Sequence, residues 1–235
     1  SNGALNILVS RRGGGGIRWK GRAMTRWNPE AISSGAGTWV YLQDLSSEDL
    51  WSPTADPTRV ELEDADVTFG PHEVEWSGVH DGIATRMGVA VPSAADVEVR
   101  RLQLRNQGDR RRRIRITSYG EPVLADPSED RRHPAFNKLF VDARHQQDPP
   151  ALIFRRRKAS PTEPTLVLGH ALAGTALDGV DVEWETDRGR FLGREGSYEA
   201  PEALVSGDPL EGREGATLDP VFCLSITIEL DSGAD

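Results

Sequence analysis

The side chains in this sequence with the means to do chemistry are arginines set among acids, and tryptophans set near both. The stretch ETDRGRFLGREG, residues 185–196, carries three acids, three arginines and three glycines around one Phe-Leu pair. It is too polar for a buried strand, and Gly189, Gly193 and Gly196 would each weaken a helix by about 1 kcal/mol relative to alanine. The expectation is a structured loop. Tryptophan supplies six of the fifteen aromatic residues, and Trp19, Trp27, Trp39 and Trp51 fall in the first quarter of the chain. Flat rings stack on the C–H faces of pyranoses while Arg, Asp and Asn fork hydrogen bonds to hydroxyls, so TRWNPE and YLQDLSSEDLWS have the residue types of a carbohydrate surface. The same tryptophans would equally serve to plug a core.

Other chemistries find less support. RRGGGGIRWK lacks the Gly-Lys-Ser/Thr that a phosphate-binding loop places at a helix start. It reads either as a hairpin connection or as bare backbone that lets a ligand or second domain approach beside Arg18 and Trp19. The five histidines, at 72, 80, 133, 145 and 170, show no His-x-His or His-Glu-x-x-His spacing, so no metal and no cofactor is expected. There is no Gly-x-Ser-x-Gly elbow, and Cys223 has no base beside it in sequence. NQGDRRRRIRI reads as a hairpin turn at Gln107-Gly108-Asp109 followed by a strand with solvated arginines.

These candidates must be positioned by strands. Ile83, Thr85, Met87, Val89 and Val91 alternate on one face, as do Phe222, Leu224, Ile226, Ile228 and Leu230. In DVEVRRLQLRN the apolar phase slips at Arg100-Arg101, which predicts a β-bulge. LNILV, TWVYL, TRVEL, HEVEW, RIRITSY, KLFVDA, ALIFR and TLVLGHAL are further strand-like runs, separated by Gly, Pro, Asp and Asn clusters. With no helical stripe, the chain is expected to form one all-β domain over residues 1–235, a large two-sheet antiparallel sandwich. The net charge of -9 argues against nucleic acid or an anionic membrane surface as partner. A single cysteine in an apolar run points to a reducing, cytoplasmic setting. No apolar run reaches the ~18 residues of a spanning helix, so direct membrane insertion of this segment is not expected.

Taken in order, GGGGIRW, AMTRW, GTWVYLQD, WSPTADP, VEVRRLQLRN, ITSYGEPVLA, HPAFNKLFV, ETDRGRFLGR and LDPVFCLSITIEL resemble a known family across nearly the whole chain. It is the N-terminal β-sandwich domain of the cellobiose phosphorylase and cyclic β-1,2-glucan synthase group of glycoside phosphorylases. The resemblance implies a galactose mutarotase-like supersandwich that precedes an (α/α) barrel, and the barrel carries the general acid. By that resemblance the domain itself has no catalytic residue, and its partners are the barrel, a weakly held glucan or oligosaccharide, and in some members a second subunit in a homodimer. The chain could then be a soluble region of an inner-membrane synthase. Asp187, Arg188, Arg190 and Arg194 become candidates for a loop facing the barrel or glucan, with Phe191 anchoring it in the core. Arg26, Trp27, Tyr41, Asp44 and Trp51 match the family's motifs, and Arg18 and Trp19 follow its Gly-rich run. Two departures stand out: Gln43 replaces the family's arginine before Asp44, and Asn28-Pro29-Glu30 replaces a more charged turn. Two other readings compete with a non-catalytic carbohydrate module. One is a free-standing aldose mutarotase-like epimerase using His133 or His170 as acid; the other is a docking domain that contacts only protein.

Overall fold

The computed structural model describes residues 1–234 apart from 28–34, 159, 162, 175, 176 and 178. Its organising element is a five-stranded sheet in the order β15 (Glu183–Asp187), β16 (Pro220–Leu230), β10 (Arg112–Gly120), β4 (Trp39–Asp44) and β5 (Leu50–Trp51). A second sheet joins β1 (Leu5–Val9), β2 (Gly15–Trp19), β3 (Arg22–Thr25) and β11 (Pro122–Ala125). The third is the meander β6 (Glu63–Phe69), β7 (Glu73–His80), β8 (Ile83–Ala90) and β9 (Val99–Asn106). The fourth holds β12 (Val141–Gln146), β13 (Ala151–Arg156) and β14 (Val167–Ala171). Every pairing between these strands is antiparallel, and the fold is all-β. Among the described residues, four helices of one turn or little more complete it: α1 (Pro127–Arg132), α2 (Pro134–Lys138), α3 (Arg188–Leu192) and α4 (Glu202–Val205).

The central sheet is buried on both faces, not on one as its alternation suggests. On the inner face Val40, Leu42, Ile114 and Leu230 pack against Trp76, Ile83 and Met87 of the meander. Further along the same face Phe222 and Leu224 pack against Leu152 and Phe154 of the fourth sheet and Met24 of the second. On the outer face Tyr41, Tyr119, Val221 and Cys223 are covered by Phe191, Leu192 and Leu204 of α3 and α4. Each large apolar side chain buried in this way stabilises the fold by roughly 1.5–3 kcal/mol.

Several sequence expectations change. β9 pairs with β8 in unbroken register from Val99 to Asn106, so there is no bulge at Arg100-Arg101. Instead Val99 faces solvent at 45% exposure and Arg100 turns inward, its guanidinium on the Glu98 carboxylate at 2.6 Å. The turn at 107–109 is not a hairpin, because β9 and β10 belong to different sheets and the chain crosses between them there. Asn106 fastens that crossing by donating to the carbonyls of Arg110 (2.8 Å) and Leu230 (3.1 Å). Two arginines of the expected solvated face are buried: Arg112 pairs with Asp44 and with Asp81 (2.8 Å), and Arg115 with Glu183 (2.7 Å). TRVEL lies outside any strand, since Arg59 has a left-handed φ of 59° that interrupts an extended run. The Gly-rich run is a packed β1–β2 connection. A Cβ on Gly13 would come within 2.3 Å of Thr54, and one on Gly14 within 2.9 Å of Trp39, so the chain itself takes up the close approach. Among the described residues no helix is long and apolar enough to cross a membrane.

Candidate functional site

Residues 185–196 begin as a strand end and continue as a helix, contrary to the loop expected from their polarity. Glu185 and Thr186 are buried within β15. The Glu185 carboxylate accepts the backbone N–H groups of Thr186 (2.8 Å) and Asp187 (3.0 Å), so this acid meets its burial cost locally. Burial still raises its pKa, against the lowering effect of those two bonds. Asp187 then caps α3, accepting from the N–H of Gly189 (2.8 Å) and Arg190 (3.3 Å), which offsets the weak helix propensity of the glycine. Phe191 is fully buried, its ring 5.0 Å from that of Tyr119 and 6.0 Å from that of Tyr41. Gly193 ends the helix at φ 90°, where a Cβ would also strike the Glu202 side chain.

The cap sets the direction of Arg188, and Arg188 leads to Glu121. That glutamate lies between β10 and β11, where the chain passes from the central sheet to the second one. The crossing is tight: a Cβ on Gly120 would overlap the Phe222 ring at 2.1 Å. The Glu121 side chain is 3% exposed and is surrounded by donors. Oε1 accepts from the hydroxyls of Tyr198 (2.6 Å) and Tyr119 (3.1 Å) and pairs with Arg188 Nε at 3.3 Å. Oε2 accepts from Arg26 Nη1 at 3.2 Å, and Arg26 forks its other nitrogens onto Asp130 of α1 at 2.6 and 3.2 Å. Arg188 also lies over the Tyr198 ring (5.3 Å) and reaches Asp219 at 3.8 Å, and Lys138 of α2 pairs with the same Asp219.

The electrostatics of this node favour fixed protonation states. Burial opposes the charge on Arg188, but Tyr198, Tyr119 and Glu121 more than offset it and its pKa rises. Burial opposes the charge on Arg26 too, but Asp130 and Glu121 together outweigh it and its pKa rises. Burial, followed by the neighbouring Glu121 charge, pushes the Tyr119 and Tyr198 phenols upward. Two charged arginines and two neutral phenols therefore face one carboxylate whose oxygens are both engaged. Such an arrangement orients groups; it holds no uncommitted base.

The sequence profile described as glycosyl hydrolase 94, supersandwich domain, matches residues 1–235. The chain belongs to this family. It is 33% identical over 233 residues to the cyclic beta-(1,2)-glucan synthase NdvB of Rhizobium meliloti (strain 1021), a match over 99% of this chain and 8% of the relative. Solabiose phosphorylase of Paenibacillus borealis is 25% identical over 233 residues, which cover 97% of this chain and 29% of the relative. N,N'-diacetylchitobiose phosphorylase of Vibrio proteolyticus is 27% identical over 104 residues, or 42% of this chain and 12% of the relative. The chain thus spans less than a third of the length of each relative, and in each of them the matching region is one part of a longer protein.

The residues singled out by sequence separate into distinct groups in this supersandwich domain. Arg26 and Arg188, 162 positions apart, converge on Glu121, with Asp187 as the cap behind them. Tyr41, Asp44 and Trp51 are fully buried, so they are removed from any surface that a sugar or a barrel could touch. Tyr41 donates its hydroxyl to the Tyr198 carbonyl (2.9 Å) and supports the node from beneath, whereas Trp51 packs tilted against His80 (ring centroids 4.8 Å apart) in the inner core. Burial opposes the Asp44 charge, but the Ser46 N–H and Arg112 outweigh it and hold this carboxyl low. Arg18, Arg190 and Arg194 are exposed, Arg190 paired with Glu211. Trp27 is half-buried against Gly14 and Gly16. Trp19 is also half-buried and donates to Asp96 at 2.6 Å.

Gln43 is buried and donates to the Leu204 carbonyl of α4 at 2.9 Å, so this departure from the family pattern is absorbed inside the fold. Asn28-Pro29-Glu30 lies outside the described residues. Sequence reasoning missed Glu121, Tyr198 and Asp219. The available signal was SYGEPVLA, where a lone acid interrupts an apolar run and so requires a buried partner.

Proposed function

We propose that this domain is a non-catalytic docking module of a larger glycoside phosphorylase or cyclic glucan synthase. Its Arg26–Glu121–Arg188 face packs against the catalytic (α/α) barrel and borders the sugar chain there, holding glucan only weakly. The observation that carries this reading is the Glu121 node itself. It joins two motifs distant in sequence, fixes four side chains from three parts of the fold, and leaves no free acid or base. Exposed apolar residues flank it: Phe136 (60% exposed) and Leu139 (42%) lie beside Lys138, and Leu218 (80%) beside Asp219. Apolar side chains grouped around a polar node suit a protein interface better than a solvated surface.

An epimerase reading draws less support. His133 lies exposed at the α1–α2 junction, while His170 lines a cleft with Ser118 as its partner. In the parent chain, Phe136→Glu combined with Leu218→Glu is expected to uncouple the unfolding of this domain from that of the barrel and to lower turnover. In the 235-residue chain alone the same pair should shift the melting temperature by no more than about 2 °C, because surface changes cost within ~0.5 kcal/mol each. Equal effects in both settings, or none in the parent, would refute the docking role.

A further inference from the structure

Between the two apolar clusters on the inner face of the central sheet lies a cavity of about 490 Å³, walled by all four sheets. Ile17 and Trp19 of β2, Leu102 of β9, Ile116 of β10 and Leu168 of β14 line it and remain only partly buried. The space opens to solvent past Asp96, Val97, Thr165 and Val167, all of them exposed. The space equals that of roughly 16 waters, enough for a molecule of one or two six-membered rings.

Besides Thr38 and Thr165, three polar groups on this wall bear on a ligand. The first is a pair from facing strands, Ser118 Oγ and His170 Nε2, 2.7 Å apart. Ser118 Oγ also reaches the Leu224 carbonyl at 3.1 Å; with the single hydroxyl hydrogen directed there, Nε2 is the donor to Ser118. His170 Nδ1 is then an acceptor, and it has no partner among the described residues. Burial, then the Arg100 charge, pushes His170 down to about 4, which leaves the ring neutral at pH 7. The second is the inward-turned Arg100, held by Glu98 at 2.6 Å and by the Thr38 carbonyl at 3.0 Å, with Nη2 uncommitted. The third is Asp96, which accepts from the Trp19 indole at 2.6 Å.

This chemistry selects among ligands. Two carboxylates against one guanidinium, with a neutral imidazole, disfavour an anion. Separate unpaired donor and acceptor atoms on apolar walls suit a ring with hydroxyls on its rim and C–H groups on its faces. We propose that the cavity is a binding site for one neutral hydroxylated ring, a single glycosyl unit, seated between Trp19 and the Ser118–His170 pair with Arg100 reaching a hydroxyl. The choice of a sugar rests on the carbohydrate reading above, whereas the site is separate from the Glu121 face.

The chain has two methionines, Met24 and Met87, and both line the cavity, so their methyl NMR signals report on it directly. Titration of the 235-residue chain with methyl β-D-glucopyranoside is expected to shift both signals saturably. His170→Leu and Ser118→Ala should each weaken the response about tenfold. Leu102→Phe, whose larger ring projects into the space, should abolish it, with a retained cooperative melting transition showing that the fold survives. Absence of any shift up to about 50 mM, or a shift that persists in Leu102→Phe, would overturn the proposal. Cyclohexanol moving both signals where the glucoside moves neither would overturn the sugar class. Arg188→Ala should leave the titration unchanged, so a lost barrel contact with an intact methyl response, or the reverse, separates failure of the docking reading from failure of this one.

Discussion

Replacing Glu121 with alanine tests how much the buried node contributes. The substitution leaves Arg26 and Arg188 without their shared carboxylate and two phenol hydroxyls without an acceptor. Removing one member of a buried ion pair costs about 3–5 kcal/mol. The lower end applies here, because Arg26 keeps Asp130 and Arg188 is 30% exposed at the side chain with Asp219 nearby. Each orphaned hydroxyl adds about 1 kcal/mol, giving roughly 5 kcal/mol in all. At ~2.1 cal/mol/K per residue, 235 residues unfold with an entropy near 0.5 kcal/mol/K, so the melting temperature should fall by about 10 °C. Glu121→Gln keeps an acceptor oxygen and should lose about half as much. In calorimetry, Glu121→Ala combined with Arg188→Ala should be less destabilised than the sum of the two by at least ~1 kcal/mol, because the second change removes a stranded charge. A fall of under 2 °C for Glu121→Ala, or strict additivity, would refute the account of the node.

Other consequences are independent of that pair. His170 has its folded pKa depressed from 6.5 to about 4, so between these values the unfolded chain binds a proton that the folded chain does not. Stability should therefore fall as pH drops from about 6.5 to 4, by up to ~3 kcal/mol, and urea titrations of His170→Leu should show this slope flattened; an unchanged slope would contradict the assignment. Asp187→Ala removes the α3 cap and should cost about 1 kcal/mol by urea titration, while Asp187→Asn should restore most of it. Gly193→Ala meets both a φ of 90° and the Glu202 side chain, and should cost about 1–3 kcal/mol. Arg194→Ala, at an exposed position, should stay within about 0.5 kcal/mol of the parent sequence.

Alternating apolar residues made the strands legible, and the order of motifs made the family legible. β8 and β16 carry their period plainly, and both lie where that period places them. What escaped was polar burial. Arg112, Arg115, Glu185 and Glu121 look like surface residues to any pattern that equates charge with solvent, yet all four are buried, the first two and Glu121 against partners far away in sequence and Glu185 against the backbone N–H groups of the two residues that follow it. Arg188 was singled out, but nothing local names its partners, since Glu121 lies 67 positions before it and Asp219 31 after. The Arg100 phase slip misled for a related reason. A bulge would have hidden Val99, whereas the strand keeps its register and turns Arg100 into a polar cavity wall. Short helices such as α3 also left no stripe to read, because one turn held by an aspartate cap needs no periodicity.

The proposed docking surface for the rest of a longer chain is the face around Arg26, Glu121 and Arg188. Its test is backbone hydrogen exchange at residues 134–139, 188–194 and 216–219, compared between the 235-residue chain and the parent protein. Slower exchange is expected in these segments in the parent, with the meander from Glu63 to Asn106 unchanged. Identical exchange at all three segments in the two proteins would contradict it.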